Sequence, residues 1–236
     1  MSVPVRVMVE QGKKKRAVAS AFDWPGWDRS ARLGTDVVAV LEAYRPRYAI
    51  VAERAGLATE FNQAGELQVV EELEGTGMTD FYGTSGRTAA PEYEQMSEAE
   101  CERKIALLRA CWATLDEATS RVSAELRKGP RGGGRDRDQL FRHANGAEID
   151  DFAKRVGVRT PLDARDSPEA MRAHRDAFCA AIREHNTRGP AARTWTVQFL
   201  IRRCAYHQLD HAWEMEDRDL SSSGDAASPG GSSGAS

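Results

Sequence analysis

The chain is short of what most small folds use as staples or signals. It has four cysteines, Cys101, Cys111, Cys179 and Cys204, scattered singly with no C-x-x-C pair. A thiol within a helical pattern behaves as a small apolar residue, so all four are expected to be reduced and structural. No apolar run approaches the roughly 20 residues that a membrane-spanning helix needs, and the N-terminus lacks the charged-then-apolar pattern of a secretion signal. The expectation is a cytoplasmic protein with no membrane partner. Charge of one sign is missing too: 33 Lys and Arg stand against 36 Asp and Glu, for a net charge of −3. Such a balance gives no basic field to draw the chain onto nucleic acid. The one basic stretch, "LRKGPRGGGRDR" at 126–137, carries interleaved aspartates and no aromatic to stack on a base, and reads as a solvated loop.

What is present falls into two parts. Val3, Val5, Val7 and Val9 repeat at period two, and the polar turn "QGKKK" separates them from "RAVASAF", a hairpin signal. After the turn-prone "DWPGWDRS", Thr35 is placed to cap a helix carrying Val37, Val38, Leu41, Tyr44, Tyr48 and Val51, with Pro46 expected to kink or split it. "LQVVEEL" at 67–73 reads as a further strand. Residues 1–75 are therefore expected to form a small α+β unit. Residues 76–96, rich in Gly, Thr and Ala without a period, suit a linker or a loop over a site. Trp24, Trp27 and Tyr44 are candidates for a pocket or, more simply, for core.

A second pattern starts at Ser97, where "SEAE" offers a capping box ahead of Ile105, Leu108, Cys111, Trp112 and Leu115. Further helical stretches run from about 137 to 156 before Gly157, from Ser167-Pro168 to about 186, and from about 194 to 218. Four helices joined by loops predict an all-α four-helix bundle over 97–218. Residues 219–236, "DLSSSGDAASPGGSSGAS", have nothing to bury and are expected to be disordered.

The last helical stretch contains "YHQLDHAWEMED". At about 100° per residue, with His207 at zero, Leu200 falls near 20°, His211 near 40°, Cys204 near 60° and Met215 near 80°. Both imidazoles thus lie inside the apolar stripe. Two core histidines satisfied by hydrogen bonds are one reading. A divalent metal taking two neutral ring nitrogens is the other, and it offsets the desolvation of two adjacent titratable rings. A third ligand must come from His143, His174 or His185, and periodicity does not choose well among them. His174 and His185 follow the Met171–Phe178–Ile182 stripe, whereas His143 sits opposite the stripe of Phe141, Ile149, Phe152 and Val156. Glu214, near −20°, is the acidic residue closest to the pair, suited to a catalytic role as base or as a partner of a ligand, or to none as part of an acidic helix end. Asp210 and Asp217 fall further round, toward solvent.

"RDRDQLFRHANGAEIDDFAKRVG" (135–157), followed some fifty residues later by "RRCAYHQLDHAWEMEDR" (202–218), resembles the DinB/YfiT-like metalloenzyme superfamily. The resemblance covers about residues 97–218. It implies a four-helix bundle in which His143, from the second helix, joins His207 and His211 to bind zinc or nickel. Asn145-Gly146 departs from the helix formers usual after that histidine. The resemblance also implies a metal-dependent enzyme acting on a small-molecule substrate, by transfer from a low-molecular-weight thiol of the mycothiol or bacillithiol type or by hydrolysis. A non-catalytic metal- or ligand-binding module is the alternative. A homodimer is the usual association of such bundles. Residues 21–51, "AFDWPGWDRSARLGTDVVAVLEAYRPRYAIV", resemble the small HicB-like antitoxin fold, which implies a docking or lid module over about 3–73.

Overall fold

The computed structural model describes residues 2–129, 133–189 and 195–221. The alternating valines form β1 (Val5–Gln11), which returns through the lysine turn as β2 (Arg16–Ala21), Val9 facing Ala19. β3 (Asp28–Arg32) pairs antiparallel with β2, and β4 (Leu67–Glu74) lies parallel to β1, giving a mixed sheet of order β3-β2-β1-β4. β3 begins inside the stretch 23–30 that reads as turn. Its "DRSAR" has no apolar alternation, so pairing with β2 and not propensity makes it a strand. Asp80 ties down the lysine turn by accepting from the backbone N–H of Lys13, Lys14 and Lys15.

The helical stretch expected to be kinked or split at Pro46 is split into two helices. α1 (Val37–Glu42) is capped by Asp36, whose carboxylate accepts from the N–H of Val38 and Ala39, one residue past the expected Thr35. α2 (Arg45–Arg54) restarts with Pro46 in its first turn, where a missing N–H costs nothing. α3 (Ala58–Asn62) leads to β4, and α4 (Gly77–Tyr82) follows it. α5 (Glu98–Arg121) opens on Ser97, whose hydroxyl accepts from the N–H of Glu100. α6 (Arg137–Ala147) runs into a π turn at Glu148–Phe152 and a 3-10 turn at Ala153–Val156, and ends on Gly157 at φ 82°. α7 (Pro168–Arg188) is capped by Ser167, and α8 (Val197–Asp217) by Thr196.

The all-α four-helix bundle expected over 97–218 is corrected. The chain has an α+β layout, a four-stranded mixed sheet followed by helices, with eight α-helices among the described residues. One hydrophobic cluster runs through both parts: Val7, Trp27, Tyr48 and Phe61 share it with Ile105, Leu108, Cys111, Cys204 and Leu209. α5 and α8 therefore bury part of their apolar surface on the sheet unit and not on other helices alone. Periodicity shows that a helix has an apolar stripe but does not show what covers it. At the junction, the turn before β3 meets α8 so closely that a Cβ on Gly26, itself at φ 95°, would stand 2.9 Å from Leu209 Cδ1. Trp24 and Trp27 belong to this core, with Trp27 stacked on Tyr48 at 5.5 Å and its indole N–H donating to Leu41 O.

Residues 76–96 are tied down by buried charge. Glu10, fully buried on the face of β1 opposite the valines, accepts from the Thr79 hydroxyl at 2.8 Å, the N–H of Gly86 and Arg87, and the Ser85 hydroxyl. Arg202 of α8 reaches the same place, donating to both oxygens of Glu92 at 2.7 and 2.9 Å and to Ser20, Ser85 and Arg87 O. The four cysteines are free and buried. No helix among the described residues is long and apolar enough to cross a membrane. The expected tail lies, from residue 222 on, outside the described residues.

Candidate metal centre

His207 and His211 stand one turn apart on α8, as the spacing predicts, and α6 brings His143 against them. Ring centroids are 5.3 Å apart for His143 and His207, 5.0 Å for His143 and His211, and 4.6 Å for His207 and His211. One ring nitrogen from each lies within 4.8 Å of the others. A tetrahedral ion with bonds of about 2.1 Å separates its nitrogens by about 3.4 Å, a contraction that small side-chain rotations supply. All three residues are partly exposed.

His143 is the residue that pattern alone ranks last, and the π turn is the reason. In one continuous α-helix, Ile149, Phe152 and Val156 would lie about 120–180° from Leu140 and about 80–140° from Ala144. A π turn takes up an extra residue and changes the phase. Leu140, Ala144, Ile149, Phe152 and Val156 are in fact all buried, so the two stripes are successive inner faces of one broken segment. With Leu140 and Ala144 inward, His143 sits at the margin of the inner face, toward α8.

Protonation favours ligation. Burial lowers the pKa of His143, helped by His211, and lowers that of His207 well below the usual value, helped by His211 and His143. Neutral imidazoles keep the lone pairs that a cation needs. His211 Nδ1 donates to Glu214 Oε2 at 3.2 Å, which leaves Nε2 as its free nitrogen. Glu214 Oε1 in turn accepts from Arg218 Nη1 at 2.6 Å, and the hydrogen bond from His211, first, and that from Arg218 hold the carboxyl below its ordinary value. Within this arrangement His207 Nδ1 is buried with no hydrogen-bond partner. An orphaned ring nitrogen beside two other available imidazoles is what a metal-ligand set presents when the cation is left out of account, and the three residues fit a divalent ion.

The other candidates lie elsewhere. His174 is buried, with Nδ1 2.8 Å from the Thr160 hydroxyl, and His185 Nδ1 is 3.0 Å from Ala181 O. Asp210 pairs with Arg29 of β3, and Asp217 with Arg47 of α2, so both brace α8 on the sheet unit. Trp213 packs on Tyr44 at 5.3 Å, about 120° round the helix from His207, and does not close over the histidines. Residues 76–96 meet α8 at Gln198, Arg202 and Tyr206, about 100–180° round. Clefts of about 740 and 910 Å³ open beside Trp24 and Arg103 and beside Glu42 and Phe61, and neither is lined by any of the three histidines.

A buried polar cluster under the site has no counterpart in the sequence reading. Glu148, at the start of the π turn, accepts from Gln208 Nε2 at 3.0 Å and lies 3.6 Å from Arg175 Nε and 3.5 Å from His174 Nε2. Arg175 also donates to Asp116 and to the Asn145 side chain. Asn145-Gly146, anomalous in a helix, is thereby explained: Asn145 is a fully buried hydrogen-bond partner, and Arg165 Nη1 approaches to 3.2 Å of where a Cβ on Gly146 would stand. The available signal was a run of polar residues at inward positions of the 137–156 pattern. No family model, curated protein or solved structure matches the chain.

Proposed function

We propose that this protein is a divalent-metal-dependent enzyme of the DinB/YfiT-like kind, in which His143, His207 and His211 hold zinc or nickel and a free coordination position faces a small-molecule substrate. The observation that carries the reading is the meeting of three partly exposed histidines, two of them held neutral by burial and one with a buried nitrogen that nothing else satisfies. The resemblance contributes the three ligand positions; its all-α bundle is not part of the reading. Three histidines with room for a fourth donor are the ligand set of a catalytic and not a closed structural site. When bound, the ion supplies Lewis acidity at that fourth position.

The chain's own groups orient and do not exchange protons there. Glu214 receives the Nδ1 proton of His211, fixes that ring's tautomer and direction, and is itself fixed by Arg218. With both oxygens engaged and its pKa lowered, Glu214 is a positioning residue and a poor general base. That supports transfer from a low-molecular-weight thiol ahead of hydrolysis, because a thiol of pKa about 8.5 asks less of a base than water does.

Cobalt(II) added to metal-free protein tests the reading. It should give the intense visible bands of a four-coordinate nitrogen site at one equivalent, shift them when a small thiol is added, and give neither in His143→Ala. Absence of such bands, or identical bands in His143→Ala, overturns it.

A further inference from the structure

Two adjacent arginines of α8 are both more than nine-tenths buried, and they differ in what they touch. Arg202, 1% exposed, has its guanidinium matched by Glu92, Ser20, Ser85 and a carbonyl, and its charge is accounted for by the fold. Arg203, 6% exposed, has no carboxylate within salt-bridge distance among the described residues, and its Nη1 is buried without a hydrogen-bond partner. Its guanidinium instead sits 5.7 Å from the Tyr206 ring and 6.0 Å from the Trp195 ring. A guanidinium nitrogen that has lost water and gained no acceptor is costly, and the cost is removed by an anionic ligand.

Arg203 precedes His207 by one turn on the same face of α8, so the two side chains are neighbours. The wall between them is aromatic: Trp195 lies 6.2 Å from Phe152, and Phe152 5.6 Å from His207. More positive charge gathers here. Arg155 stands over Trp195 at 3.7 Å, paired on its outer side with Asp151. Asp28, which both arginines influence, is fully buried in the sheet, 3.7 Å from Arg202 and neither hydrogen-bonded to nor within salt-bridge distance of Arg203.

We propose that Arg203 is the anion subsite of the metal centre: the substrate carries an oxyanion, a carboxylate or a phosphate, that sits on the Arg203 guanidinium while its apolar body lies along Trp195 and Phe152 and its reacting end reaches the three histidines. This deepens the metal-enzyme reading and rests on it for the position of the reacting end. The anion subsite itself exists with or without the ion.

The test is calorimetric binding of succinate and of inorganic phosphate to native protein, Arg203→Lys and Arg203→Gln, each metal-free and zinc-loaded, with zinc binding measured on the same samples and on His207→Ala. Native protein should bind at least one of the two anions, the better one identifying its source as carboxylate or phosphate. Arg203→Gln should bind it at least tenfold more weakly. Arg203→Lys, which keeps the charge but loses the two-pronged fork, should fall between and guards against a glutamine variant that does not fold. Native protein that binds neither anion, or variants that bind as native does because Arg203 serves only Asp28, overturn the proposal. Anion binding that depends on Arg203 in protein that takes no zinc sustains the subsite and rejects the metal.

Discussion

Two buried polar clusters lie on opposite sides of α8. Around Arg202, charge is dense and mostly matched: Glu10, Glu92, Ser85, Ser20 and backbone groups of residues 86 and 87 join sheet, loop and helix, and Asp28, 3.7 Å from Arg202 with both oxygens short of a hydrogen-bond partner, is the exception. Around His207, the histidines are only partly buried and the polar atoms incompletely matched, with His207 Nδ1 and Arg203 Nη1 both lacking partners. A satisfied cluster explains itself as structure, whereas an unsatisfied one asks what else belongs there. The Arg202 cluster holds residues 76–96 against the sheet; the His207 cluster holds nothing together and is partly exposed.

The comparison predicts opposite responses to truncation, largest on the Arg202 side. Removing one partner of a buried, hydrogen-bonded ion pair leaves the other uncompensated, so Glu92→Ala should lower unfolding free energy by about 3–5 kcal/mol in denaturant titration. His207→Ala in metal-free protein, which deletes an unsatisfied group, should cost far less. A His207→Ala loss as large as that of Glu92→Ala would erase the distinction.

Between the two stands Glu148. Burial, opposed by Arg175, pushes its carboxyl up from 4.5 to about 7. A carboxyl whose folded pKa exceeds its unfolded one keeps its proton in the native state, so native stability from this group is lost as pH rises from about 4.5 and the loss is complete above about 7. Glu148→Gln removes the dependence. Relative to native protein it should gain roughly 1–3 kcal/mol between pH 5 and pH 8, read from unfolding midpoints at several pH values. His174, which burial lowers to about 4, gives the opposite slope and lies 3.5 Å from Glu148, so its part is removed by adding His174→Gln to both proteins. A difference that stays flat across this range would place Glu148 with the fully matched groups.

The smallest effect expected is at Glu214. Losing the carboxylate that orients His211 should weaken zinc binding about 10–100-fold in Glu214→Ala with little change in the metal-free fold, checked by competition with a chromogenic chelator. Unchanged affinity would leave Glu214 a surface residue.

How much of this was legible beforehand depends on what each element needs from the rest of the chain. β1, β2, β4, α5 and the two histidines of α8 follow from local periodicity and capping, and the sequence pattern places them well. β3 is polar and exists by pairing, so no period marks it. The segment at 137–156 carries two apolar stripes whose phases conflict in a single helix, and only the π turn reconciles them; this is why His143 was chosen by resemblance and not by pattern. The four-helix bundle failed for a related reason, since the apolar faces of α5 and α8 are covered partly by Trp27, Tyr48 and Val51 from the sheet unit. Asn145, Glu148 and Arg175 meet from different elements, and nothing local announces that convergence.

The most direct measurement of the central claim is the divalent-metal content of protein purified without an affinity tag, native beside His207→Ala. The account predicts close to one zinc or nickel per native chain and nearly none in the variant. Native protein carrying no stoichiometric metal, and taking none up from a metal buffer, would contradict it.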